Sequence, residues 1–292
     1  MKIKTWEELT ISDNFLFQKV MKNPRICKHL IERILNIRIA RLTYPETEKT
    51  IDIRLDSKSI RLDVYVEDEQ GRMYDLEMQC TNGTEGELPK RSRYYQGLID
   101  MEALGKGIDY TELNASYIIF ICTFDLFGKG LPMYTFRNIC EEKAGLYMGD
   151  ETAKIFLNST GSDRATDPDI RAFLQYVDGK AAEGVFIQDV EQEVRRVKEH
   201  KEWRAEYMTL AMELKRQQQI GFMQGKAEGK AEGKAEGKAE GLAEGTIKGR
   251  AQEKEKNAVN MLRRGFAIDI VATCIELPEQ EVQAIGKRYG II

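Results

Sequence analysis

The sequence predicts an α/β domain followed by a helical C-terminal extension, and three features carry that expectation. Residues 60–66 and 73–80 alternate apolar and polar side chains on either side of a turn, the pattern of a half-buried hairpin. The run from Ala115 to Phe124 is apolar almost throughout and long enough only for a strand covered on both faces. Beyond about residue 180 the strand signals cease and helical periodicity takes over, interrupted by a glycine repeat.

With 292 residues, 42% of them hydrophobic, the chain can bury a sizeable core, as one full domain with an appendage or as two small domains. No apolar run approaches the ~20 residues of a membrane helix and the opening MKIKTWEELT has no apolar signal region, so a cytoplasmic protein without a membrane partner is expected. The two histidines, His29 and His200, are far apart and neither adjoins a cysteine, which argues against zinc hydrolases and zinc fingers. Five scattered cysteines without a CxxC read as reduced thiols. A net charge of -4 does not advertise a nucleic-acid binder, so that function must rest on a local site.

Taken in order, residues 1–185 form the first domain. A helix carries Cys27, Leu30, Ile31, Ile34 and Leu35, and a strand candidate follows near 51–55. In the hairpin, EDEQGR supplies the turn, and taking Gln70 as its centre sets Ile60 against Cys80, Leu62 against Met78, Val64 against Leu76 and Val66 against Tyr74 on one apolar face. The other face is then polar, with Arg61 opposite Gln79, Asp63 opposite Glu77 and Tyr65 opposite Asp75. A shift of one residue would mix charged and apolar groups on both faces, so the even register is preferred.

This register makes Asp63 and Glu77 cross-strand neighbours with Cβ atoms about 5 Å apart. Two bare carboxylates there repel. One solution is a divalent cation held by the two carboxylates, a main-chain carbonyl and waters, the hard oxygen set that Mg²⁺ selects. The other is a solvated acidic face paired with Arg61. After the hairpin, Lys90 to Gln96 reads as a helix start bearing bases and aromatics. There Arg91 and Arg93 are candidate phosphate contacts and Gln96 faces the site one turn on; the alternative is a basic surface turn with Tyr94 or Tyr95 in the core. Glu32, on the preceding helix, is either a further acidic contributor or a solvent-facing charge.

Residues 186–220 read as one charged helix, with Ile187, Val190, Val194 and Val197 spaced along one face. In 221–250 glycine recurs at 221, 225, 229, 233, 237, 241, 245 and 249 within a GKAE repeat. Each glycine costs a helix roughly 1 kcal/mol against alanine, so a flexible or partly helical tether is expected. The alternative is a glycine stripe that packs helices together in a homo-oligomer. Residues 251–292 carry helical spacing, a central Gly265 and a break at Leu277-Pro278-Glu279, as in a small helix-turn-helix or a helical hairpin for partner contact.

The run Leu62-Asp63-Val64 to Leu76-Glu77-Met78-Gln79, followed by Arg91-Ser92-Arg93-Tyr94-Tyr95-Gln96, resembles the recombination-promoting nuclease and transposase family of the PD-(D/E)XK nuclease superfamily. Ser12 to Phe17, Lys106 to Tyr110, Tyr117 to Cys122, Ile155 to Asn158 and the repeat tail resemble it in the same order. The resemblance implies a restriction-endonuclease-like core, a mixed central sheet flanked by helices, that cuts DNA with Mg²⁺. It implies Asp63, Glu77 and Gln79 as catalytic residues, with Asp63, Glu77 and the Met78 carbonyl holding the metal. Gln79 takes the place of the usual superfamily lysine and can orient a water only by hydrogen bonds. The leading expectation is therefore a Mg²⁺-dependent DNA endonuclease of recombination or mobile elements. The alternatives are a catalytically inactive DNA-binding protein that keeps the fold, and an interaction scaffold assembled through the C-terminal extension.

Overall fold

The computed structural model describes residues 3–44, 50–51, 60–105 and 107–292. They divide into two compact units, Met1–Met212 and Glu213–Ile292. The first opens with helices α1 (Asn14–Met21) and α2 (Pro24–Leu35), the latter capped by the Asn23 side chain and started on a proline whose missing N–H costs nothing there. Short strands β1 (Leu42–Thr43), β2 (Thr50–Ile51) and β3 (Ile60–Arg61) precede the hairpin of β4 (Val64–Asp68) and β5 (Met73–Gln79). Helix α3 (Glu87–Ala103) leads to β6 (Ser116–Cys122), β7 (Met133–Phe136) and β8 (Thr152–Asn158). Helices α4 (Pro168–Val177) and α5 (Val185–Glu199) follow, and α6 (Lys201–Arg263) begins in this unit.

Among the described residues the sheet has six strands in the order β1-β4-β5-β6-β8-β7. The β5/β6 and β6/β8 pairs are parallel and the others antiparallel. This is the mixed sheet with flanking helices that the sequence leads one to expect. Val64 pairs with Leu76, Tyr65 with Asp75 and Val66 with Tyr74, the register centred on Gln70. Its turn is fixed by Asp68, whose carboxylate accepts the amides of Gln70 and Arg72 and the Arg72 side chain, and by Gly71 at φ +76°.

Both faces of the sheet are covered. Val64, Val66, Tyr74, Leu76, Met78, Ile119, Ile121, Ile155 and Leu157 pack with α1, α2, α4 and α5 in the larger core. Met73, Ile118, Phe120, Cys122 and Phe156 pack instead against Leu88, Tyr95, Leu98 and Ile99 of α3. Alternate residues of β6 thus serve opposite cores, which is why its sequence is apolar without a gap.

Several expectations are corrected. The second hairpin face is not a solvated acidic surface: α3 covers it, and Asp75 and Glu77 are 0% and 4% exposed. Leu62 belongs to the α3-side core rather than to the face of Met78, because residues 62–63 interrupt the strand and reset the alternation before β4. Ile60 and Arg61 pair with Ile51 and Thr50 rather than with Cys80 and Gln79. Most of the strand expected near 51–55, and Lys106, lie outside the described residues, as does the Arg61 side chain proposed to neutralise the acids.

The helix expected over 186–220 is divided at His200, whose extended backbone ends α5 and starts α6. The glycine repeat, expected as a flexible or partly helical tether, is helical, being part of α6. In the second unit, the last turns of α6 and helices α7 (Ile268–Ile275) and α8 (Glu279–Arg288) bury Ala258, Leu262, Val271, Ile275, Val282 and Ile285 together. Gly265, at φ +83°, makes the first turn, and Pro278 caps α8 at the expected break. No helix among the described residues is long and apolar enough to cross a membrane. All five cysteines are free.

Candidate active site

The break between β3 and β4 leaves Asp63 at the end of the hairpin where β5 terminates. There the ladder gives way to a reciprocal clasp. The Asp63 amide donates to Glu77 Oε1 at 2.9 Å, and the Met78 amide donates to Asp63 Oδ2 at 3.2 Å. Helix α1 brings a second set of donors: Gln18 Nε2 reaches Asp63 Oδ1 at 2.8 Å and Asn14 Nδ2 reaches Oδ2 at 3.5 Å. Asn14 and Gln18 are four apart and share one helix face, while Phe15, Leu16, Phe17, Val20 and Met21 of α1 are buried in the larger core. Hydrogen bonds to a charged acceptor, worth about 1.5–3 kcal/mol each, fix this carboxylate's rotamer.

Glu77 and Asp75 share the α3 side of β5. Burial, followed by the charges of Asp75 and Asp63, pushes the Glu77 carboxyl well above the ordinary carboxylate range; the Asp63 amide and Arg91 oppose this. Asp75 is likewise raised, first by burial and then by Asp63, with Glu77 and Arg91 pulling the other way. No backbone or side-chain N–H or hydroxyl reaches either Asp75 oxygen.

Helix α3 lays Arg91 over the end of β5. Its Nη2 donates to Gln79 Oε1 at 2.6 Å and stands 3.8 Å from Glu77 Oε2. The Gln79 amide nitrogen donates in turn to the Thr81 carbonyl at 2.7 Å. Three acids, Asp63, Asp75 and Glu77, thus lie close enough for Asp63 to raise the carboxyls of the other two, and Arg91 beside Glu77 offsets part of that effect. Among the described residues no three His, Cys, Asp or Glu side chains converge as a self-sufficient metal cage. Hard oxygens on Asp63 and Glu77, with orphaned acceptors on neighbouring Asp75, suit a cation that keeps waters in its shell, as Mg²⁺ does.

The structure brings Asp63, Glu77, Met78, Gln79 and Arg91 together. It places the other candidates elsewhere. Glu32 turns back on its own helix end and accepts the Ile39 amide at 2.8 Å. Arg93 is exposed on the outer side of α3. Gln96 is 7% exposed and bonded to Ser116, at the far end of β6, and to Asp100, an internal engagement in place of the expected DNA contact. Sequence reasoning missed Asn14, Gln18 and Asp75. The signal for the first two was a pair of amides spaced i, i+4 on a helix that is apolar apart from them and Lys19.

The family model for the PD-(D/E)XK nuclease family transposase matches residues 14–158, from the first residue of α1 to the last of β8. No match was found among curated proteins or among solved structures. Nucleases of this family generally depend on a divalent metal. The match contains the whole sheet, the Asp63–Glu77 clasp, Gln79 and Arg91, and the domain it spans belongs to the PD-(D/E)XK nuclease family transposases.

Proposed function

We propose that this protein is a Mg²⁺-dependent DNA endonuclease that hydrolyses phosphodiester bonds in DNA recombination or in mobile-element biology. The observation that carries the reading is the clasp of Asp63 and Glu77, in which two acids are locked against their mutual repulsion beside a third buried acid. Ordinary sheet packing would select against that arrangement, and a cation-binding site requires it.

Asp63, Glu77 and the Met78 carbonyl are the proposed Mg²⁺ ligands. A bound Mg²⁺ supplies Lewis acidity, polarising the scissile phosphate and lowering the pKa of a water. Gln18 and Asn14 hold the Asp63 carboxylate in one rotamer, which spares its reorganisation during the reaction. Gln79 orients the attacking water through its amide, and Arg91 steadies that amide from α3. DNA is the proposed substrate, Arg93 on the exposed side of α3 a proposed backbone contact, and the cytoplasm the proposed location.

One observation favours the alternative of an inactive DNA-binding or scaffold protein: both ends of the Gln79 amide already have protein partners, Arg91 and the Thr81 carbonyl. Supercoiled and linear DNA incubated with Mg²⁺, with Ca²⁺ and with EDTA separates the readings. The nuclease gives nicked or linear product in Mg²⁺ and none in EDTA. DNA binding without product under all three conditions supports the alternative.

A further inference from the structure

The motif that names the family ends in lysine, and this chain has Gln79 at that position. An amide carries no charge, so the site lacks the cation the motif provides. Arg91 stands in that space. Its Nη2 is 2.6 Å from Gln79 Oε1 and 3.8 Å from Glu77 Oε2. Its guanidinium carbon lies 5.0 Å from the centre of the Phe120 ring and 5.5 Å from that of Tyr95.

These contacts are not those of a plain counter-ion. A guanidinium that served only to neutralise Glu77 would take the two-pronged carboxylate geometry. Here the short bond goes to the neutral amide, and the carboxylate stands beyond hydrogen-bond distance. The aromatic faces fix the guanidinium plane and exclude water from one side. Its Nε is buried without an acceptor, so the protein alone does not satisfy this side chain. Arginine also stays protonated beside any arrangement of acids, where a lysine can lose its proton.

We propose that Arg91, reaching over from α3, supplies the fixed positive charge that Gln79 cannot, and that Arg91 and Gln79 act as one unit toward the scissile phosphate of DNA. The proposal rests on the nuclease reading above. It makes Arg91 a positioning and charge-supplying residue rather than a sequence-independent clamp, so its loss should appear in kcat and not in KM.

The test is plasmid cleavage in Mg²⁺ by the full chain, its Arg91→Gln, Arg91→Lys and Gln79→Lys variants, and the Gln79→Lys/Arg91→Gln double variant. Arg91→Gln should lower kcat about 100-fold with KM within about threefold, as for loss of one preorganised electrostatic group. Arg91→Lys keeps a cation but loses the planar, ring-stacked fork, so it should fall between the parent and Arg91→Gln. The double variant, which returns the charge to the motif position, should recover at least about tenfold over Arg91→Gln. Independently of catalysis, the rise in melting temperature caused by Mg²⁺ should persist in Arg91→Gln.

A parent that cuts DNA while Arg91→Gln cuts equally well overturns this proposal and leaves the nuclease reading intact. So does a double variant no better than Arg91→Gln, or a loss confined to KM. If Arg91→Gln does not melt cooperatively, the decision passes to Arg91→Lys: a folded but inactive lysine variant overturns the proposal, and an active one upholds it. A parent that cuts no DNA removes both readings together.

Discussion

Asp63 and Glu77 are fastened through each other's strand: Glu77 Oε1 accepts the Asp63 amide, and Asp63 Oδ2 accepts the amide of Met78, the residue after Glu77. Each acid is thereby held where its partner's backbone needs an acceptor, so the clasp takes over where the ladder breaks between β3 and β4. The consequence is preorganisation. Neither side chain can swing away without orphaning a buried N–H, which costs about 1–3 kcal/mol.

Gln18 extends that restraint from α1. Gln18→Leu removes the 2.8 Å bond to Asp63 and keeps the side chain's bulk. The loss of a charge-assisted bond of about 1.5–3 kcal/mol should lower kcat about tenfold to 100-fold. Steady-state cleavage kinetics measure this, and a variant cutting at the parental rate would show that Asp63 needs no such support.

Asp75 should respond in the opposite sense. Both its oxygens are buried without an N–H or hydroxyl donor and it shares a proton only with the Glu77 carboxyl, so Asp75→Asn, which provides a permanent N–H beside Glu77, should stabilise the fold by about 1 kcal/mol. Urea unfolding at neutral pH reads the change. A marked loss of stability would mean that the Asp75 carboxylate has a partner in solution.

The repeat glycines of α6 offer a separate test. A Cβ added at Gly229, Gly233 or Gly237 meets nothing within 4 Å. Alanine at each should strengthen the helix by about 1 kcal/mol, seen as a higher-melting far-ultraviolet circular dichroism signal. Light scattering on the same samples should show an unchanged mass. A fall in mass would indicate that the stripe packs helices of different copies against one another.

Thiol reactivity should follow burial. Burial pushes the Cys27 and Cys122 thiols up to about 12 from an ordinary 9.0, so at pH 8 they hold far less thiolate than an exposed cysteine. Iodoacetamide at that pH should label exposed Cys274 first and reach Cys27 and Cys122 only after unfolding, as mass spectrometry of the digested protein would report. Fast labelling of Cys27 in the folded protein would contradict the packing around α2.

The hairpin register was legible because period-two alternation on both strands admits one face-matched pairing, and Val64, Val66, Tyr74 and Leu76 obey it. The covering of the acidic face was not. Leu88, Tyr95, Leu98 and Ile99 form the apolar stripe of α3, but Lys90, Arg91 and Arg93 dominate the segment and make it read as a surface. Leu62 was misassigned because the strand breaks at residues 62–63 and the alternation does not carry across the break. Asn14 and Gln18 were hidden for another reason: their partner Asp63 is distant in sequence, and only tertiary packing sets α1 beside the hairpin. The repeat, judged by glycine propensity, read as a flexible or partly helical tether, and the structure has it inside α6.

The most direct test of the central claim compares the parent with Asp63→Ala on supercoiled plasmid in Mg²⁺, with melting curves of both proteins run alongside. The account predicts nicking or linearisation by the parent, abolished by EDTA, and a loss of about 100-fold or more in a variant that still melts cooperatively. Equal cleavage by a folded Asp63→Ala would contradict it, because the reaction would then not need the carboxylate that Gln18, Asn14 and the Met78 amide hold in place.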